Sequence, residues 1–182
     1  MILPVKWAEI VATEPEICVE GRFRILGDGT WLHDGRAITR PALVRLFAGV
    51  LRRGADGGFW LVTPVEKVPV EVDDAPFLAV ALEAEGEGSS TSLRLRTNVE
   101  DWVPLDRDHP LRVAAGTHGP RPYIAMAPGI EALIARSVYY DLAARAVPGP
   151  GGAIGVWSAG AFFALTPEGA APNSGSGPEA GS

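Results

Sequence analysis

The side chains best suited to bind an anion appear first where the strand-like stretch LVTPVEKVPV, residues 61–70, becomes charged. There Glu66 and Lys67 place an acid and a base side by side between valines. Lysine is rare, since only Lys6 and Lys67 are lysines among 16 basic residues, and this rarity indicates a position that needs a compact ammonium group. Two interpretations remain open. Glu66 orients Lys67 toward an anionic ligand, or the pair only fastens the strand to its neighbour.

A second polar cluster follows the strand-like run SLRLRT. Arg96 leads directly into Thr97 and Asn98, which places a guanidinium, a hydroxyl and an amide at the end of one strand. Such donors orient a phosphate or a carboxylate group. Arg121 and Tyr123 offer similar groups on a later strand. The pattern predicts a binding site for a small anionic ligand.

Asp141 is a further candidate because helical spacing places it on an apolar face. Residues 129–147, GIEALIARSVYYDLAARAV, have the spacing of one helix, in which Asp141 lies with Ile130, Ile134 and Ser137. A buried carboxylate needs a partner. Either an arginine pairs with it between the two halves of the chain, or the same arginine is shared with a ligand.

Several kinds of chemistry are excluded by composition and spacing. The net charge of −6 argues against a nucleic-acid or anionic-membrane surface. Cys18 and the three scattered histidines lack zinc-ligand spacing. The glycine-rich turns do not open helices, as phosphate loops must. Ser158 has glycine three positions before it, whereas a nucleophile elbow needs glycine two positions before. We therefore expect no catalytic residue, no metal and no cofactor.

The N-terminal sequence predicts neither export nor a membrane span. MILPVKWAEI has no charged start and is broken by Pro4 and Lys6, so it does not fit a signal peptide. No apolar run reaches the roughly 18 residues that a membrane span requires. With a single cysteine, we expect a cytoplasmic protein.

Turn and cap residues predict the elements that position these side chains. Asp28-Gly29 and Asp34-Gly35 predict tight hairpin turns, and residues 77–86 and 92–97 predict two strands of a longer hairpin. Residues 39–54 predict an amphipathic helix that begins at Thr39 and ends before Gly54. Its buried face is predicted to consist of Leu43, Leu46, Phe47, Val50 and Leu51.

The order of elements repeats along the chain. Each half has strands, one helix, a glycine-rich turn and a strand with Trp60 or Trp157. We predict an α+β fold of two related halves, each a mainly antiparallel sheet with one amphipathic helix. The predicted domains are an N-terminal segment 1–16, halves 17–74 and 75–166, and a disordered Pro/Gly-rich tail 167–182.

A series of motifs in fixed order resembles a known family. The motifs are GTWLHDGRAITRPALVRLF, LVTPVEKVPVEVDDAPF, LRLRTNVEDWV, DHPLRV, RPYIAM, GIEALIARSVYYDL and GVWSAGAFFAL. Over residues 17–165 the chain resembles the DUF1285 family of bacterial proteins of unknown function. The resemblance implies an α+β protein made by domain duplication, with a C-terminal half superficially like a pleckstrin-homology fold. It also implies a nucleotide-like ligand at the interface of the halves and a role in signal transduction.

The residues and the resemblance together predict a non-catalytic sensor. We expect a small anionic, nucleotide-like molecule between the halves, where Glu66 and Lys67 approach Arg96, Thr97 and Asn98. The alternative is a protein–protein interaction module that uses a sheet edge or a helix groove. An enzyme acting on a phosphorylated metabolite is the third choice, because no nucleophile, metal set or acid pair is apparent. We expect no nucleic-acid partner.

Overall fold

The computed structural model describes residues 16–17, 21–86 and 90–167. Of the predicted N-terminal segment 1–16 and tail 167–182, only residues 16 and 167 lie within these ranges. The described residues form two α-helices, α1 (Pro41–Val50) and α2 (Arg136–Ala143), one short 3-10 helix (Pro150–Gly152) and sixteen strands. The strands are β1 (Glu16–Ile17), β2 (Phe23–Ile25), β3 (Trp31–His33), β4 (Arg36–Ala37), β5 (Leu51–Arg53), β6 (Phe59–Val62), β7 (Glu66–Val72), β8 (Phe77–Glu85), β9 (Ser92–Thr97), β10 (Trp102–Pro104), β11 (Leu111–Ala114), β12 (Arg121–Ala127), β13 (Ile130–Ile134), β14 (Val147–Pro148), β15 (Ile154–Ser158) and β16 (Ala161–Ala164).

The two large sheets have the same topology. In the N-terminal half the strand order is β4-β3-β2-β7-β6-β5, and β1 also pairs with β7. In the C-terminal half it is β10-β9-β8-β13-β12-β11. The central pair is parallel in both sheets, β2 with β7 and β8 with β13, and the other neighbours in each order are antiparallel. The prediction of an α+β fold with two related halves is therefore confirmed.

The helices do not occupy equivalent positions in this repeat. Helix α1 lies between β4 and β5, whereas α2 follows β13, the last strand of its sheet. The predicted order of strands, helix, glycine-rich turn and tryptophan strand occurs in both halves, but the two helices that it equates are not equivalent in the sheets. The repeat lies in the order of six strands, which long-range pairing determines and local spacing does not show.

The second helix begins later than predicted. Residues 130–134 form the strand β13 between β8 and β12, with Ile130, Ala132 and Ile134 buried. Burial at every second residue is the pattern of a strand. Pairing on both edges therefore overrides the helix propensity of this segment.

Helix α1 is shorter than predicted. It begins at Pro41 after Arg40, and no side chain caps it, so Thr39 is not the cap. It ends at Val50, because Leu51 starts the strand β5. Leu46 is 64% exposed, which means that the predicted buried face is wrong in part. The face that packs on the core consists of Val44, Phe47, Ala48 and Val50.

One hydrophobic core connects the two halves. Buried side chains from both large sheets belong to a single cluster, which includes Ile25 and Trp31 from the first half and Leu95 and Ile124 from the second. A small third sheet, in the order β14-β15-β16, adds Val156 and Phe163 to the same core. The halves are thus held together by burial of apolar surface as well as by the chain itself.

Candidate functional site

The predicted pair Glu66 and Lys67 lies within the N-terminal sheet. The ammonium of Lys67 sits 4.2 Å from the ring centroid of Trp60 on the neighbouring strand β6. The pKa of the nearby Asp56 carboxyl group is lowered, chiefly by the backbone hydrogen bond from Gly58. The charge of Lys67 makes the smallest contribution to this lowering. Glu66 is exposed. The lysine thus packs on its own sheet, as in the interpretation that the pair fastens the strand.

The predicted cluster after β9 is divided between three environments. Arg96 is half-buried and forms no ion pair or side-chain hydrogen bond with a described residue. Thr97 is buried, and its hydroxyl accepts a hydrogen bond of 3.2 Å from the backbone N–H of Asp101. The hydroxyl therefore stabilises the turn between β9 and β10. Neither side chain has a described contact with Lys67.

Asn98 joins the two halves. Its Oδ1 accepts a hydrogen bond of 3.1 Å from the N–H of Leu78, and its Nδ2 donates one of 3.2 Å to the carbonyl of Gly29. Gly29 has a φ of +83°, and a Cβ atom there would lie 2.6 Å from Nδ2 of Asn98. Glycine is required at this position for both reasons. The amide that the sequence selected as a ligand donor thus also bridges the domains.

Arg121 and Tyr123 converge on Asp74, in the segment that joins the halves. The Tyr123 hydroxyl donates to Oδ1 of Asp74 at 2.8 Å, and Nη2 of Arg121 donates to Oδ2. Burial raises the pKa of Tyr123 above its ordinary 10.0; the hydrogen bond from Arg121 partly offsets this, and the bond to Asp74 adds to it. The two predicted residues therefore lie together, but their shared partner is a protein carboxylate.

The adjacent aspartates of this joining segment each contact a different half. Asp73 accepts a hydrogen bond of 2.9 Å from Nε of Arg24 on β2, while Asp74 is held by Arg121 and Tyr123 on β12. This acid pair was not selected from the sequence. The signal of its structural role in the sequence is its position between two strand-rich halves, because a joining segment needs contacts on both sides to be fixed.

The predicted burial of Asp141 is wrong. Asp141 is exposed on α2 and forms no ion pair with a described residue. The spacing that placed it beside Ile130 and Ile134 assumed a continuous helix, but those isoleucines belong to β13. Ser158, interpreted as a strand serine, is buried on β15, and its hydroxyl accepts a hydrogen bond of 2.9 Å from the N–H of Leu93.

A groove of about 320 Å³ lies between the halves beside helix α1. The first half contributes polar groups from its β2–β3 turn and from α1, and the second half contributes the turn after β9. The polar and aromatic side chains that line it are Thr30, Trp31, Thr39, Arg45, Asn98 and Glu100. Of the predicted site residues, only Asn98 is among the described residues that line this groove. The volume is near the lower end of the range for small-molecule sites.

Trp31 is the most unusual residue of the groove. It is 1% exposed, and its Nε1 is the only buried side-chain nitrogen or oxygen among the described residues without a hydrogen-bond partner. The ring stacks on Phe47 of α1, with centroids 6.4 Å apart. A buried donor without an acceptor costs about 1–3 kcal/mol. Sequence reasoning missed Trp31, because its spacing indicated only a core strand.

An ion pair between Arg45 of α1 and Glu100 spans the same groove. Glu100 has a φ of +68° in the turn after β9. Both side chains are about half exposed, 45% and 62%, so the pair adds little stability. An incoming anion could therefore replace Glu100 on Arg45 at small cost.

The described part of the chain has neither a metal-binding cluster nor a membrane-spanning helix. No group of three or more histidine, cysteine, aspartate or glutamate side chains is arranged to hold a metal ion there. No described helix is long and apolar enough to cross a membrane.

Two mixed six-stranded sheets of one topology, each with a helix, define a two-domain α+β protein. Both domains match a family: residues 9–75 match "Domain of unknown function (DUF1285), N-terminal domain", and residues 76–165 match "Protein of unknown function (DUF1285), C-terminal domain". The chain belongs to the DUF1285 family.

Two solved structures support this assignment. A DUF1285 family protein from Silicibacter pomeroyi DSS-3 is 40% identical, with a TM-score of 0.79 over 88% of each chain. A DUF1285 family protein from Shewanella baltica OS155 is 27% identical, with a TM-score of 0.53 over 67% of this chain and 90% of that one. No curated protein matches. The likeness of the C-terminal half to a pleckstrin-homology fold stays a prediction.

Proposed function

We propose that this protein is a non-catalytic sensor that binds a small anionic, nucleotide-like ligand in the groove between its two halves, with a role in signal transduction. The observation that carries the proposal is the unpaired buried indole N–H of Trp31, a residue that lines this groove. A native protein keeps such a donor unpaired only where another requirement outweighs its cost. A polar ligand atom is one partner that would remove this cost.

The groove supplies further groups that suit an anion. Arg45 offers a guanidinium that can bind a phosphate through two hydrogen bonds, and the exposed Glu100 is its only ion-pair partner among the described residues. Thr30, Thr39 and Asn98 supply hydroxyl and amide groups on the same walls. Glu66, Lys67, Arg121, Tyr123 and Asp141 are not part of this proposed site.

A ligand in this groove contacts both halves at once. Arg45 belongs to the N-terminal half and Asn98 to the C-terminal half. A ligand that binds one arrangement of the halves better than another shifts the population toward that arrangement. This is how occupancy of the groove would be transmitted to a partner without catalysis.

Thermal unfolding with adenosine and guanosine mono- and diphosphates tests the proposal. Ligand at about one hundred times its Kd stabilises by about 2.7 kcal/mol, which raises Tm by about 5–10 °C for a chain of this size. We expect Arg45→Gln to lose this shift. Arg36→Gln is the matched control, because Arg36 is an exposed arginine of the same half without a described ion pair. Equal shifts in both variants, or no shift at millimolar nucleotide, would contradict the proposal.

A second function is favoured by the outer face of α1. Leu46 is 64% exposed and Leu43 is 37% exposed, an apolar surface that suits a protein partner through a helix face. Partner binding that is lost in Leu46→Lys and kept in Arg45→Gln would favour this interaction module over the ligand sensor.

A further inference from the structure

A cavity of the described chain lies within the C-terminal half. It has a volume of about 620 Å³ and lies between the first turn of α2 and segment 117–122, which runs from the loop before β12 into that strand. None of the described residues that line the interface groove lines this cavity. The volume falls in the middle of the range for sites that bind small organic molecules.

The polar lining of the cavity is cationic. Its charged residues are Arg121 and Arg136, His118 adds an imidazole, and no described aspartate or glutamate lines it. The guanidinium of Arg136 forms no ion pair or hydrogen bond with any described residue. In a chain with a net charge of −6, a free arginine beside a cavity is a local positive site. An anion entering there needs to displace no protein carboxylate from Arg136.

Arg121 is held in a fixed position beside this free arginine. Its Nε donates to the Tyr123 hydroxyl at 3.2 Å, and its Nη2 donates to Asp74. These bonds limit the rotamers of Arg121, so little conformational entropy remains to be lost when a ligand binds. The cavity thus combines one preorganised guanidinium with one that is unpaired.

The remaining lining is apolar and aromatic. Leu133 and Ile134 of β13 and Leu78 of β8 form apolar parts of the wall. Tyr140 lines the cavity, although 61% of it is exposed, and an exposed aromatic ring can stack on a planar ligand. Tyr139 is fixed by a hydrogen bond from its hydroxyl to the carbonyl of Leu165.

We propose that this cavity is a second binding site, for an organic anion with a planar apolar body. The phosphate or carboxylate head group binds at Arg136 with His118 and Arg121, and the body packs between Tyr140 and the wall formed by Leu133. All of these residues belong to the C-terminal domain. The inference therefore does not depend on the interface groove.

Titration calorimetry with phenyl phosphate, inorganic phosphate, phenol and benzoate tests this site. We expect phenyl phosphate to bind more tightly than inorganic phosphate or phenol, because only it fills both parts of the cavity. Benzoate shows whether a carboxylate head group is accepted. Arg136→Gln should weaken phenyl phosphate binding about tenfold or more, through the loss of one charged hydrogen bond.

Two further variants separate the parts of the site. Arg145→Gln is the matched control near the other end of α2, since Arg145 is exposed, has no described ion pair and does not line the cavity. It should leave phenyl phosphate binding unchanged. Tyr140→Ala should weaken phenyl phosphate binding and leave inorganic phosphate unaffected. Unfolding midpoints without ligand verify that each variant is folded.

Three results would overturn the inference. The first is phenyl phosphate binding no tighter than inorganic phosphate and phenol, and the second is equal binding by Arg136→Gln and Arg145→Gln. The third is binding that Arg45→Gln abolishes and Arg136→Gln leaves intact, which would place the ligand in the interface groove. That last result would support the proposed function, so the second binding site and the site in the interface groove can be rejected independently.

Discussion

Tyr123 lies at the contact between the joining segment and the C-terminal sheet. Its hydroxyl donates to Asp74 and accepts from Arg121, and the residue is only 6% exposed. A buried phenol next to a carboxylate resists ionisation, because burial and the hydrogen bond to Asp74 both raise its pKa. Because of this environment, the free energy of unfolding changes with pH in the alkaline range.

We expect Tyr123→Phe to weaken this alkaline dependence. Since the folded pKa is raised above 10.0, the unfolded chain loses the tyrosine proton first. The stabilisation is therefore complete below about pH 10 and is lost as pH rises through the folded value. In urea unfolding, Tyr123→Phe should be about 1–2 kcal/mol less stable at neutral pH and should lose stability less steeply above about pH 10.

Tyr140→Phe is the control for this measurement, because Tyr140 is 61% exposed and its hydroxyl has no described partner. Its stability should follow the native curve. Some alkaline dependence should persist in every variant, since burial also raises the pKa of Tyr139. Identical slopes for native protein and Tyr123→Phe would show that the contact with Asp74 does not resist ionisation.

The polar residues could be named from sequence more easily than their partners. Asn98 was selected because it ends a strand, and it does line the interface groove. Its partner Gly29 lies 69 residues earlier, a distance over which local patterns carry no information. The same holds for Arg121, whose partner Asp74 is 47 residues away. The packing of Lys67 on Trp60 depends on strand pairing, about which the rarity of lysine carries no information.

At the scale of elements, residues of helix α1 that look equivalent in sequence differ in burial. Leu46 and Phe47 were both predicted to be buried. Phe47 packs on the core and contacts the rings of Phe23 and Trp31, with centroids 5.0 and 6.4 Å apart, whereas Leu46 is 64% exposed. The helix turns a different face to the sheet, with Val44 and Ala48 packed on the core in place of the predicted Leu43 and Leu46.

Two alanine substitutions test this assignment. Phe47→Ala should destabilise the protein by about 2–4 kcal/mol, because it removes a partly buried ring and leaves a cavity beside Trp31. Leu46→Ala should cost less than about 0.5 kcal/mol, as exposed side chains usually do. Urea unfolding of the two variants gives both values. Similar losses for both would mean that α1 buries the face predicted from sequence.

Segment 129–147 shows where element prediction fails. Ile130 and Ile134 are four residues apart, which fits a helix, but with Ala132 they also alternate as a strand requires. Short apolar runs fit both periods. Pairing on both edges decides for the strand, with β12 in a short hairpin and with β8, whose Phe77 lies more than fifty positions from its partner Ala132.

At the scale of the whole molecule, two repeats of one topology share a core and a fixed joining segment. Asp73 and Asp74 attach that segment to β2 and β12, and Ala75 and Pro76 are buried. The number of halves, the fold class and the hairpin of β8 and β9 could be predicted from sequence. The parallel central pair of each sheet could not, because parallel partners are never joined by a short turn.

Binding of an anionic ligand in the groove between these repeats is tested most directly by the indole N–H resonance of Trp31. The chain has five tryptophans, and the Trp31→Phe spectrum identifies the Trp31 signal by its loss. Titration with the nucleotide that gives the largest thermal shift should move this signal in a saturable manner, and Arg45→Gln should abolish the movement. A Trp31 signal that stays fixed while saturating nucleotide shifts other resonances would contradict the account.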